Sequence, residues 1–242
     1  MGDALTLYEL AGADSELRFS PHCWKTRMAL AHKHLEARYV PWRFMDIKHI
    51  ASKGIGTVPV LLDGDEPIGD SWQIALHLES RYPDRPSLFG AQEAIPVTAF
   101  VNQWADLTLL PALARILLLD IHRLLDPKDQ TYFRKSREAR FKASLEEIVA
   151  PLEQNLAVFQ QALAPLRRLL RQQPYLAGDT PAYADYCVFC FFMWARCTSN
   201  IEVLAVGDSL IAWRDRLLDA FGALAREAKI APPRDMGDDN AR

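Results

Sequence analysis

The sequence has no uninterrupted apolar run long enough to cross a bilayer. The longest, "YCVFCFFMWA" at residues 186–195, is about half of the roughly 20 residues that a spanning helix needs. The first residues, "MGDALTLYEL", lack the basic start and apolar stretch of a secretory leader. No sign of charge dominates. There are 28 basic and 31 acidic side chains, a net charge of −3, and this balance excludes the basic footprint of a nucleic-acid binder. Cysteine is scarce: Cys23, Cys187, Cys190 and Cys197 are the four in 242 residues. Cys187 and Cys190 form a C-x-x-C pair, but no second pair follows at zinc spacing, so no metal site is expected and the two read as small core residues. Free thiols in a reducing, cytoplasmic setting follow most simply. Internal repeats and low-complexity tracts are absent as well.

What is present is an ordinary globular composition, 50% apolar and 24% charged, in a length that suits one large domain or two modest ones. The first eighty residues alternate strand and helix. "LTLYEL" and "ARYVPW" read as strands flanking a helix over 21–33, whose Trp24, Met28, Ala31 and Leu35 share a face. After a further helical segment, "VPVLLD" and "EPIG" form a hairpin through Asp63-Gly64. Asp70-Ser71 then opens a helix with Ile74, Leu78 and Tyr82 inward, stopped at Pro83. "PDRPSLFG" reads as a linker. Beyond it, residues 93–123, 133–170, 182–197 and 209–228 have helical spacing, interrupted by Pro111, Pro151 and Pro165. The fold class is therefore α/β plus all-α, and a cleft between two such halves is a common ligand site.

Three short motifs carry candidate chemistry. Ser20-Pro21 suits the start of a helix, where serine caps and proline takes the first position. The same helix tip presents free N–H groups and partial positive charge, which stabilise an anion such as a thiolate. From these residues alone, cap and binding site are both open. Val58-Pro59 begins a strand; with a cis peptide bond the Val58 backbone turns towards a ligand, and otherwise Pro59 is a plain strand start. At Asp70-Ser71 a carboxylate acceptor stands beside hydroxyl and amide donors, which matches an amino-acid head group as well as it matches another cap.

Together, S-P-x-x-W-K at residues 20–25, Val58-Pro59, Asp70-Ser71 twelve residues after Val58, and a helical half resemble the cytosolic glutathione transferases over roughly residues 4–228. "SPHCWKTR" and "DSWQIALHLESRYPDRPSLF" are most similar to serine-type members, closest to the bacterial β-etherase and fungal etherase-like group, with zeta-class similarity. The resemblance implies an N-terminal thioredoxin-like domain at 1–83, a linker at 84–92, and a C-terminal helical-bundle domain at 93–230 carrying the electrophile site. A polar tail at 231–242 follows. It implies glutathione as co-substrate, with Ser20 on its sulfur, Val58 before Pro59 on its cysteinyl backbone, and Asp70 and Ser71 on its γ-glutamyl group. Lys48, in preference to Lys53, would meet the glycyl carboxylate. Since Ser20 stands where some relatives carry cysteine, no mixed disulfide is expected there, and Cys23 does not take over the role. The family's buried helix usually has a Ser or Thr cap three residues before an aspartate. Here Ala182 precedes Asp185, so the hydroxyl is missing, although Asp185 can still bond backbone amides.

The second substrate implied is a small apolar or aromatic electrophile. His22, Trp104 and Arg115 are its candidate contacts, beside the apolar "LTLLPALARILLL" that serves equally as core. The implied reaction is attack by the glutathione thiolate, including displacement of a phenolate from an aryl ether. The alternatives are a zeta-like isomerase, a non-catalytic glutathione-binding module, and a membrane-inserting soluble form that the balanced charge and short apolar runs argue against. A homodimer with no nucleic-acid or membrane partner is implied.

Overall fold

The computed structural model describes residues 5–46 and 55–233. Four strands, β1 (Leu5–Leu10), β2 (Ala37–Trp42), β3 (Val60–Asp63) and β4 (Glu66–Gly69), form one sheet in the order β2-β1-β3-β4. β1 and β2 are parallel and joined by α1 (Pro21–His32), whereas β3 pairs antiparallel with both β1 and β4. This mixed sheet with its helices is a thioredoxin-like half. Gly64 has the positive φ (62°) that the Asp63-Gly64 turn requires. β2 lies at the sheet edge, where Pro41 costs no ladder hydrogen bond. The helical segment expected between β2 and β3 falls largely on residues 47–54, outside the described residues.

α1 packs against α2 (Ser71–Arg81) and, across the two halves, against α9 (Tyr183–Thr198). Eight of its twelve residues are buried, Lys25 and Thr26 among them, because it is enclosed rather than half-solvated. The helical half follows as α3 (Ala94–Trp104), a π-helical turn (Ala105–Leu109), α4 (Leu110–Arg123), α5 (Pro127–Phe141), α6 (Leu145–Val149), α7 (Leu152–Ala162) and α8 (Ala164–Leu169). It closes with α9 and α10 (Leu210–Ala223). The apolar run of the sequence is the core of α9, of whose sixteen residues fifteen are buried. The hydroxyl cap is absent, and Asp185 supplies only the reciprocal half of such a cap. Its carboxylate accepts from the Leu176 and Ala182 amides at 2.9 and 3.1 Å and from Trp213 Nε1 at 2.8 Å.

Three departures from the sequence reading matter for the site. Pro111, which has no N–H to give Leu107, follows a π turn rather than a simple break. α5 begins at Pro127, capped by Asp126 through the Lys128 and Asp129 amides, six residues earlier than the spacing implied. α10 leaves helical geometry at Ala220. The linker is anchored: Leu88 and Phe89 are buried, and the Leu88 carbonyl accepts from the Tyr183 amide at 2.8 Å. Among the described residues no helix is long and apolar enough to cross a membrane.

Candidate active site

A crevice of about 500 Å³ opens between the two halves. Its α/β side is formed by Ser20 and His22 at the tip of α1, Val58-Pro59 ahead of β3, and Asp70-Ser71 at the start of α2. Residues far apart in sequence thus meet in one place.

Ser20 is both a cap and a wall of the crevice. Its backbone is extended (φ −60°, ψ 126°), and its Oγ accepts from the Cys23 amide at 3.4 Å. That long bond uses one acceptor site of a hydroxyl that also neighbours the Cys23 side chain. The Val58-Pro59 peptide is cis. Because β3 starts only at Val60, the Val58 amide and carbonyl stand outside both ladders. Asp70 has φ 69° and ψ 129°, a costly conformation for a non-glycine residue and of the kind that concentrates at ligand clamps. The Trp72 and Gln73 amides both donate to its Oδ1, at 2.9 and 3.1 Å, leaving Oδ2 for a ligand. Ser71 is buried, and its carbonyl accepts from Tyr183 Oη at 2.7 Å, which fixes the start of α2 to α9.

Behind the α1 tip lies a buried ionic cluster. Lys25 Nζ donates to Asn102 Oδ1 at 2.8 Å and to Asp106 Oδ1 at 2.6 Å, tying α1 to α3 and the π turn. Burial opposes the Lys25 charge, and the hydrogen-bonded ion pair with Asp106 acts against burial. Since burial pushes the Cys187 thiol up to about 12, the counter-ion at neutral pH is Asp106. His22 Nδ1 lies 3.9 Å from the same Asp106 oxygen, and the side chain is 35% exposed to the crevice. Desolvation first, then the Lys25 ammonium, push its imidazole down to about 4, so the ring is neutral at pH 7. Cys23 is buried and its thiol is also pushed up to about 12, chiefly by desolvation, which makes it no substitute for Ser20.

The helical side of the crevice comes from α4, α5 and Trp194 of α9. α4 presents Leu110, Ala114 and Leu118, four residues apart on one face. Neither Trp104 nor Arg115 lines the crevice. Trp104 ends α3 and packs against the core before the π turn. Arg115 is one position round the helix from Ala114, exposed, with its guanidinium 5.2 Å from the Phe141 ring centroid. Lys48 and Lys53 lie outside the described residues. The sequence reading passed over Phe44 and the α5 wall of Tyr132, Phe133, Arg137, Arg140 and Phe141. The spacing of 133, 137, 140 and 141 marks one helix face and was the available signal.

α5 is fixed to the α/β half by Asp129, whose buried carboxylate accepts from the Phe44 and Met45 amides at 2.8 and 3.0 Å. Among the described residues no group of three or more His, Cys, Asp or Glu side chains is placed to hold a metal.

Residues 15–86 match the family described as "Glutathione S-transferase, N-terminal domain", and residues 97–217 match "Glutathione S-transferase, C-terminal domain". A glutathione S-transferase-like protein, ustS, of Aspergillus flavus is 29% identical over 141 residues. That match covers 52% of this chain, and the chain spans about half (50%) of the relative's length. Among solved structures, a glutathione S-transferase of Ceriporiopsis subvermispora in complex with glutathione superposes with a TM-score of 0.78 at 22% identity. It covers 96% of this chain and 100% of its own. Glutathione transferase GSTFuA2 from Phanerochaete chrysosporium gives 0.74 at 26% identity, covering 95% and 100%.

Proposed function

The chain belongs to the glutathione S-transferase family, and from that premise we propose that it binds glutathione in the interdomain crevice and delivers the thiolate to an aromatic electrophile. The observation that carries this is the position of Ser20 Oγ: at the N-terminus of α1, in the same crevice as the cis Val58-Pro59 peptide and Asp70-Ser71. The Ser20 hydroxyl donates to the sulfur, and the helix tip adds its partial positive charge. Both favour the thiolate over the thiol. The Val58 backbone pairs with the cysteinyl unit. Asp70 Oδ2 accepts from the γ-glutamyl ammonium while Ser71 and the α2 tip hold its carboxylate. Lys48 is the preferred partner of the glycyl carboxylate.

The thiol proton leaves to solvent. The sulfur then forms a C–S bond to the electrophilic carbon, and the leaving group departs with the bonding pair, as halide from an aryl halide or as phenolate from an aryl ether. Catalysis comes from thiolate stabilisation and placement. His22, neutral beside the α1 tip, faces the second substrate. The aromatic α5 wall supports an aromatic one. The four buried free thiols suit a reducing, cytoplasmic setting. An exposed apolar stripe on α3 and the π turn supports a homodimer.

Calorimetry with glutathione, followed by turnover of a chloronitrobenzene, an aryl ether and a cis double-bond isomer, tests the reading. Binding together with turnover of at least the chloronitrobenzene is expected. Absence of glutathione binding at millimolar concentration overturns it. Binding without turnover on any of the three substrates leaves a glutathione-binding module in place of an enzyme.

A further inference from the structure

The α5 wall of the crevice carries two arginines, Arg137 and Arg140. Among the described residues, neither Arg137 nor Arg140 has a carboxylate within ion-pair distance, although Arg134 of the same helix is paired with Glu138 and Glu146. Arg137 is half-buried. It lies 4.7 Å from the Phe133 ring centroid and 5.8 Å from that of Phe44, and its Nη1 donates to Ser136 Oγ at 3.0 Å. Arg140 lies 5.9 Å from the Phe141 centroid. Desolvation lowers the Arg137 guanidinium from its ordinary range; Tyr132 acts against this, and the neighbouring Arg140 adds to it. Among the described residues the crevice is lined by one carboxylate, that of Asp70, on the α2 side. Two guanidinium groups beside aromatic rings, with no carboxylate at ion-pair distance among the described residues, make a site that gains stability when an anion enters.

We propose that Arg137 and Arg140 receive an anionic oxygen group on the electrophile, so that the crevice selects aromatic substrates carrying a carboxylate or phenolate over neutral ones. This rests on the transferase reading and adds the substrate class to it. The aromatic body packs on Phe133 and Phe141 while its charged edge meets the planar donors of the two arginines. The carbon under attack then faces the α1 tip. Both residues act on substrate selection and have no part in forming the thiolate.

The test pairs a charged and a neutral electrophile in the same reaction: 4-chloro-3,5-dinitrobenzoate and 1-chloro-2,4-dinitrobenzene. In Arg140→Gln the ratio of kcat/KM for the charged over the neutral substrate is expected to fall about tenfold, and further in Arg137→Gln. Arg140 is exposed, so its variant reads the effect even if the stacked Arg137 is needed for folding. Unreactive 3,5-dinitrobenzoate, titrated by calorimetry into wild type and Arg140→Gln, gives a readout that needs no turnover. Wild-type binding, weakened about tenfold in the variant, is expected. If catalysis is absent but this difference persists, the transferase reading fails and the anion site stands. If the ratio and the dinitrobenzoate affinity do not move, or if glutathione affinity falls while the ratio holds, the pair has another role, in the last case at the glycyl carboxylate, and the proposal is overturned.

Discussion

The ammonium of Lys25, fully buried in α1, lies 2.6 Å from Asp106, which reaches it from the π turn of the opposite half. Two halves that differ in architecture are therefore joined by a charge pair directly behind the tip that carries Ser20. Removing one partner of such a pair leaves the other uncompensated in an apolar setting, at about 3–5 kcal/mol for a fully buried pair. Asp106 is 24% exposed and can rehydrate, whereas Lys25 cannot. Asp106→Asn should accordingly destabilise more than Lys25→Met, by about 3 kcal/mol in urea unfolding, because it strands the Lys25 charge. Equal losses in the two variants would refute this asymmetry.

Ser20→Ala separates capping from chemistry. The capping bond is long, at 3.4 Å, so its loss should cost at most about 1 kcal/mol of stability. Loss of a donor to a charged sulfur is worth about 1.5–3 kcal/mol, or roughly ten- to hundredfold in kcat/KM at neutral pH. The thiol pKa of bound glutathione should rise in the variant, so part of the lost rate returns as pH rises. The rate–pH profile and thiolate absorbance measure this directly; a profile identical to wild type is the contrary result.

His22 has a sign that can be checked. Its folded-state pKa is pushed down to about 4 from 6.5, mainly by desolvation, so the folded protein refuses a proton that the unfolded chain accepts. Above the unfolded value both states are neutral and His22 contributes no pH dependence. As pH falls from 6.5 towards 4, the unfolded state binds more protons and stability drops. With 35% of the side chain exposed, screening makes the drop smaller than the shift alone implies. In His22→Asn the urea midpoint should fall less across this window than in wild type. Parallel curves for the two proteins would contradict it.

Much of the α/β side was readable because its signals are local. A serine before proline, a proline opening a strand, and Asp-Gly between strands each act through their own backbone, and all occur where expected. The helical side was readable in element type but not in its contribution to the crevice. Which face of α4 looks inward depends on the rotation introduced by the π turn, and nothing in "WADLTLLP" announces a widened turn. Arg115 was named with no face of the helix assigned, and Ala114 is the residue that lines the crevice. The expected start at 133 missed the Asp126-Pro127 cap, but Phe133, Arg137, Arg140 and Phe141 all lay inside the expected helix; which of its faces meets the crevice is set by packing that the local sequence does not show. The buried role of Lys25 was equally invisible, since its partners lie 77 and 81 positions away.

The stripe on α3 and the π turn yields the last prediction. Val97, Phe100 and Leu107 are 66%, 71% and 74% exposed, unusual for large apolar side chains that recur along one helical segment. None of them lines the crevice. A second copy of this chain that covers the stripe removes three apolar side chains per subunit from water, each worth about 1.5–3 kcal/mol when fully buried. Replacing Phe100 by Glu forces a carboxylate into that contact, where desolvation without a partner opposes association. Light scattering should give a two-chain mass for wild type and a one-chain mass for Phe100→Glu at micromolar concentration. Glutathione binding should survive in the variant, because the residue is remote from Ser20, Val58 and Asp70. A wild-type protein already of one-chain mass, or a variant still of two-chain mass, means that another surface, or none, holds the copies together.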